Sequence, residues 1–187
     1  MSTAAEELPS VSFEEYLRAE ATSERRHEFV GGRVYVMAGG SERHDLAAGL
    51  VYEALATGVR TAGCRPFISN RMLRAGESGY YPDVFVVCGP AADRRYEEDA
   101  TLIVEVLSPS TQDVDRREKA AACACLPSLG LYILLDPVQR RLEAAQAQNG
   151  RLIWRAFGGE DVLPTRYGTV MISELYDQLD RTATTLE

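Results

Sequence analysis

The sequence predicts an α/β domain built on a mixed β-sheet flanked by helices. Three features carry this expectation. Apolar runs of strand length recur through the middle of the chain, at Tyr80–Cys88, from Leu102 into the Glu105-containing segment, and at Leu129–Asp136. A helical stretch, Asp115–Leu126, separates the last two, and a strand–helix–strand unit of this kind makes a parallel crossover. The earlier strands stand close enough in sequence to pair antiparallel.

The elements follow in order. Ser12 and Glu15 form a capping box ahead of a helix whose apolar face carries Phe13, Tyr16 and Leu17. The segment from His27 to Gly39 predicts two strands joined at Gly31-Gly32, an N-terminal hairpin. A long helix follows from Ser41, with Leu46, Leu50, Leu55 and Val59 at helical spacing and Gly63 as its stop. Cys64–Arg74 predicts one strand or two, and Glu77-Ser78-Gly79 a turn. Ser110 to Asp113 fits a second capping box, so the crossover helix should begin between Thr111 and Asp115 and end at Pro127. A peripheral C-terminal hairpin turns at Asn149-Gly150, and Met171–Leu179 forms a short closing helix. With 187 residues, the chain suits one domain, with residues 1–10 expected to be flexible.

Charge and cysteine content narrow the function. The net charge of −8, from 28 acids and 20 bases, argues against a long sequence-independent grip on phosphates. It leaves room for local basic patches at Arg25-Arg26, Arg94-Arg95, Arg116-Arg117 and Arg140-Arg141, each of which also reads as solvated surface. No apolar run approaches the ~20 residues that cross a bilayer, and the acidic N-terminus lacks the pattern of a secretory signal. Cys64, Cys88, Cys123 and Cys125 show no disulfide framework and read as small buried hydrophobes. A cytoplasmic protein is the expectation, with no membrane association.

Two acids stand out because their strands are so apolar. Asp83 opens one run and Glu105 sits in the middle of the next. Alternation puts Asp83 on the face of Phe85 and Val87, and Glu105 on the face of Ile103 and Leu107, so neighbouring strands would let the carboxylates converge. An unpaired buried carboxylate is costly, and two together are worse unless a cation joins them. Carboxylate oxygens, a backbone carbonyl and water are the hard ligands Mg²⁺ prefers. The structural alternative is an edge-strand acid or an arginine pair. Lys119, the chain's sole lysine, falls in the helix just after Glu105. Only Lys, not Arg, offers a compact point charge, although an exposed pair with Asp115 would also account for it.

The segments His27–Gly39, Glu42–Leu55, Tyr80–Cys88, Leu102–Ala121 and Leu131–Pro137 resemble, in that order, the Uma-two family of restriction-endonuclease-like proteins. This family is a branch of the PD-(D/E)XK nuclease superfamily, and the likeness runs from about Phe13 to Leu179. The resemblance implies a restriction-endonuclease-like core over residues 44–136. It also implies that Asp83 and Glu105, with the backbone carbonyl of Val106, hold Mg²⁺ or Mn²⁺. The superfamily lysine normally stands two residues after the second acid, where this chain has Leu107. Lys119 matches the helix position from which the family supplies it instead. Glu28 matches an early family acid, serving as a third ligand, as an orienter of water, or as an ordinary strand-start acid. Gly31 replaces a common family Asp. His44 matches a family histidine that would contact phosphate or cap its helix. Gln112 is a further candidate for the site, and His27 reads as surface.

The function implied is metal-dependent hydrolysis of phosphodiester bonds in DNA. Cutting both strands of a duplex needs two such sites, so a symmetric homodimer is expected. Two rivals remain open: a nuclease fold retained as a catalytically inactive binding module, and a two-carboxylate sugar hydrolase. The second needs neither metal nor lysine, and Trp154 is thin support for it.

Overall fold

The computed structural model describes residues 10–37, 39–91, 93–108 and 118–183. It opens with α1 (Phe13–Glu20), where the Ser12 hydroxyl accepts from Glu15 N and the Glu15 carboxylate accepts from Ser12 N, completing the capping box. β1 (His27–Val30) and β2 (Arg33–Val36) pair antiparallel across Gly31 and Gly32. Both glycines have positive φ, 55° and 85°, which a two-residue hairpin turn of this twist requires. α2 (Glu42–Thr61) is capped by Ser41 and stops ahead of Gly63. Its buried stripe is Ala47, Ala48, Val51, Leu55 and Val59, whereas Leu46 and Leu50 lie at its margin.

The strands sort into three sheets. β3 (Arg65–Ile68), β6 (Val84–Val87), β8 (Ala100–Val106), β9 (Leu131–Asp136), β10 (Arg141–Gln148) and β11 (Arg151–Gly158) form a six-stranded sheet in the order β11-β10-β9-β8-β6-β3. β8 and β9 are parallel, as the crossover predicts, and the other pairs are antiparallel, so the sheet is mixed. A five-stranded sheet, β2-β1-β5-β4-β7, adds β4 (Met72–Ala75), β5 (Ser78–Tyr80) and β7 (Tyr96–Glu97). β12 (Val162–Thr165) and β13 (Gly168–Met171) form a small hairpin before α4 (Ile172–Ala183). One face of the six-stranded sheet presents Val84, Val86, Leu102, Val104 and Val106 to α2 and α4. The opposite face presents Phe85, Ile103 and Leu134 to the five-stranded sheet and to α3 (Ala120–Cys123). Both faces of β8 are therefore buried, which is why its sequence is an almost unbroken apolar run.

Four sequence expectations change. The Tyr80–Cys88 run is two strands in two different sheets, because the chain crosses between them at Tyr81-Pro82-Asp83. Pro82 cannot donate to a ladder, which suits a break at that point. Ser78 and Gly79 belong to a strand rather than a turn. The hairpin at Asn149-Gly150 is not peripheral: β10 lies inside the large sheet with Leu142, Ala144 and Ala145 buried, and only β11 is at the edge. The cysteine expectation also fails, since Cys64 and Cys88 form a disulfide. They flank the Arg65–Val87 pair of β3 and β6, so the next register step sets them opposite each other. Cysteine spacing alone could not reveal a bridge created by strand register. Cys123 is buried at the end of the short helix and Cys125 is exposed in the turn that follows. The predicted start of the crossover helix lies outside the described residues. No helix among the described residues is long and apolar enough to cross a membrane.

Candidate functional site

Where the chain crosses between the two large sheets, a cavity of about 840 Å³ opens. Asp83 reaches it from the crossing itself, Glu105 from β8, Lys119 from the residue before α3, and His44 from the first turn of α2. Register explains the meeting of the acids. Val84 pairs with Val104, and one step further along the ladder Asp83 lies across from Glu105.

Asp83 is fixed by two contacts on one oxygen. Its Oδ2 accepts from Val106 N at 2.7 Å and lies 3.3 Å from His44 Nε2. The other His44 nitrogen, Nδ1, stands 3.3 Å from Asp45, and the His44 N–H is held by the capping Ser41. The Asp83 hydrogen bond chiefly raises the His44 pKa above its ordinary value; burial opposes this and Asp45 adds to it. His44 thus orients the Asp83 carboxylate.

Glu105 is only 3% exposed and Lys119 only 6%. The Lys119 ammonium lies 2.8 Å from Glu28 Oε1 and 3.9 Å from Glu105 Oε1. A buried cation therefore stands between two acids from different sheets, and it offsets the cost of carrying Glu105 in an apolar strand. Lys119 is not the exposed helical residue that its spacing from Asp115 allowed. Glu28, the early acid, serves as the anchor of the lysine.

A supporting layer lies behind these groups, and little of it is visible in the sequence. Tyr81 N donates to Glu28 Oε1 at 3.3 Å, and the Tyr81 hydroxyl donates to Glu20 at 3.1 Å. Burial pushes the Tyr81 phenol up to about 12, with Glu20 adding to the effect, so it remains a donor. Glu20 also accepts from His27 N and contacts His27 Nδ1, both at 3.0 Å. His27 is therefore a partner of a buried acid, not a bystander on the surface. The signal for Glu20 was present in the helical period: Phe13, Tyr16, Leu17 and Glu20 share one face of α1.

The oxygen donors suit a hard divalent cation. Among the described residues no cluster of three or more His, Cys, Asp or Glu side chains is gathered to hold a metal on its own. Mg²⁺, however, is commonly held by one or two carboxylates together with water and substrate phosphate. Asp83 and Glu105 provide such a pair, and Val106 lines the same cavity. Gln112 lies outside the described residues.

Fold and site together define a mixed α/β protein with a carboxylate pair, Asp83 and Glu105, and a buried lysine at a sheet junction. The Uma2 family, described as "Putative restriction endonuclease", matches residues 13–167. The chain belongs to this family. Two proteins of Synechocystis sp. are similar to it, both described as uncharacterized. One, slr1290, is 34% identical over 134 residues, covering 69% of this chain and 70% of the relative. The other, sll1609, is 28% identical over 146 residues, covering 73% and 81%. A crystal structure from Anabaena variabilis, described as "a putative nuclease belonging to DUF820", shares the fold with a TM-score of 0.76. It is 15% identical, and the alignment covers 90% of this chain and 99% of that one.

Proposed function

We propose that this protein is a Mg²⁺- or Mn²⁺-dependent endonuclease that hydrolyses phosphodiester bonds of DNA. The observation that carries this reading is the convergence on one cavity of Asp83 from the sheet crossing, Glu105 from β8 and Lys119 from the residue before α3. Asp83, Glu105 and the Val106 carbonyl would hold the cation. When bound, such a metal polarises a phosphoryl oxygen and acidifies a water toward neutral pH.

The chain's own groups supply positioning and charge. Val106 N and His44 hold Asp83 Oδ2, so the carboxylate does not rotate away from the cavity. Glu28 holds Lys119, whose ammonium would stabilise charge that develops on a phosphate in the cavity. Tyr81 fixes Glu28 in turn. A symmetric homodimer would bring two sites to one duplex.

The test is Mn²⁺ titration by calorimetry on wild type and Glu105→Gln, followed by plasmid cleavage with the same samples. The reading expects binding in wild type, a loss of affinity in the variant, and metal-dependent nicking by wild type alone. Binding without nicking would favour the inactive binding module. Absence of Mn²⁺ binding in wild type would remove the metal-dependent mechanism.

A further inference from the structure

Among the described residues, Arg25-Arg26 is the arginine pair placed on the candidate site. Both residues line the same cavity as Asp83, Glu105 and Lys119. Three arginines of the other pairs are engaged elsewhere. Arg95 is engaged by Asp93 and Glu14, Arg140 by Asp177 and Asp180, and Arg141 by Glu143. By contrast, no ion pair engages Arg25 among the described residues, and Arg26 has only a distant contact with Glu20 at 3.9 Å. Arg26 is nonetheless placed: its guanidinium lies 5.4 Å from the centre of the Tyr81 ring, two residues from Asp83. One stretch of chain thus delivers Arg25 and Arg26 to the rim and, two residues on, the Glu28 that anchors Lys119.

A second wall element is the Ser69-Asn70 turn between β3 and β4, which also lines the cavity. Ser69 is held at φ 52°, a left-handed conformation uncommon outside glycine. The turn is tied to the site by Ser69 N, which donates to the Asp83 carbonyl at 3.0 Å. Backbone strain of this kind persists where the surroundings enforce it, and it clusters at ligand-contacting positions. Asn70, the next residue, is exposed and lines the same cavity as the carboxylates.

We infer that Arg25 and Arg26, together with Asn70, form a phosphate-tracking wall that holds a DNA strand on either side of the scissile bond. This rests on the nuclease reading of the same cavity and identifies the residues that grip its substrate. In a chain of net charge −8, the two exposed guanidiniums bring positive charge to the rim of a cavity also lined by Lys119, Asp45, Asp83 and Glu105. A cavity of about 840 Å³ exceeds what one phosphate fills. Arginine supplies the forked donors that phosphate accepts in pairs, and Asn70 adds neutral donors for phosphate or base edge. A wall of two cations also reconciles an acidic protein with a polyanionic substrate, because the grip is local rather than spread over the surface.

The test is fluorescence anisotropy of a short fluorescein-labelled DNA duplex in Ca²⁺, titrated at several salt concentrations between about 50 and 200 mM. The proteins are wild type, Arg25→Gln/Arg26→Gln, Asn70→Ala and, as a control on the distant edge strand β11, Arg151→Gln/Arg155→Gln. Each phosphate contact contributes a slope of about 0.9 in the salt dependence. The double rim variant should bind roughly tenfold or more weakly, with its slope reduced by about 2. Asn70→Ala should weaken binding without changing the slope, and the β11 variant should match wild type. Arg25→Gln alone, which breaks no ion pair of the described fold, should lower the slope by about 1 should the double variant misfold. A rim variant with wild-type affinity and slope would overturn the wall while leaving the nuclease reading intact. Failure of wild type to bind duplex, with Mn²⁺ binding preserved, would overturn the wall and DNA as the substrate. Failure to bind Mn²⁺ would count against the nuclease reading separately.

Discussion

Lys119 Nζ lies 2.8 Å from Glu28 Oε1, an ion pair that ties the residue before α3 to the strand β1 of the five-stranded sheet. Both side chains are mostly buried, at 7% and 12% exposure. The same ammonium faces Glu105 at 3.9 Å, so one cation serves acids from both large sheets. Removing it leaves two carboxylates without that balance, a far greater loss than breaking a surface pair.

Lys119→Met should therefore destabilise the fold by about 3 kcal/mol, and Glu28→Gln by a smaller amount. In the Lys119→Met/Glu28→Gln double variant, one of the two opposing charges is gone as well. Its cost should fall short of the sum of the singles by about 1 kcal/mol or more. Urea unfolding of the four proteins measures this coupling. Strict additivity would mean that the pair is not formed in solution.

The cysteines should separate by accessibility. Cys125 is exposed, Cys123 is buried with its thiol pushed up by burial, and Cys64 and Cys88 are bridged. Alkylation of the native, unreduced protein near neutral pH should mark Cys125 alone. Unfolding without reductant should add Cys123, and reduction should add the remaining two, all read by intact-protein mass. Labelling of Cys64 or Cys88 in unreduced, unfolded protein would show the disulfide to be absent.

Acid should weaken the clasp between α4 and the start of α2. Asp180 accepts from Arg43 and from Arg140, and its carboxyl is held below its ordinary value, chiefly by the Arg43 hydrogen bond. A depressed folded-state pKa gives stability that is complete above the unfolded value near 3.9 and is lost as pH falls through the folded one. Asp180→Asn should thus be less stable than wild type at about pH 6, and the two should converge as pH drops below about 3.9. The gap should be modest and shrink with salt, because Asp180 is 42% exposed. A gap that stays constant through the acid range would assign the effect to packing instead.

Much of this molecule was legible in the sequence because its local signals agree with the fold. The Ser12 capping box, the glycine pair at 31–32, the Gly63 stop and the parallel crossover all appear where residue type and spacing put them. Glu105 stood out because a strand buried on both faces tolerates a carboxylate only where a partner offsets its charge, and Asp83 because it heads an apolar run directly after Pro82. What remained hidden depends on long-range register. Periodicity shows that Tyr80 and Val84 are both in strands, but not that they belong to different sheets, so the junction that creates the cavity had no local signature. The Cys64–Cys88 bridge and the contacts of Lys119 with Glu28 arise for the same reason. Glu20 was readable on the face of α1, but its partners His27 and Tyr81 come from tertiary packing.

Two glycines of α2 show how packing reverses a sequence-level rule. In an exposed helix interior, Gly→Ala stabilises by about 0.8–1 kcal/mol, because alanine loses less backbone freedom on folding. Gly49 follows that rule: a Cβ added there meets nothing within 4 Å. Gly49→Ala should raise stability by up to about 1 kcal/mol. Gly58 sits in the same helix, but its added Cβ would lie 1.7 Å from the Tyr167 carbonyl oxygen. That backbone cannot retreat easily. Tyr167 N donates to Thr165 Oγ1, and the Tyr167 hydroxyl is 2.5 Å from Thr101 Oγ1 and in contact with Cys88. Gly58→Ala should accordingly destabilise by about 2–3 kcal/mol or more, the cost of forcing volume into a packed contact. Thermal or urea unfolding of the two variants gives the comparison directly. Equal stabilisation by both substitutions would show that α2 does not rest against Tyr167.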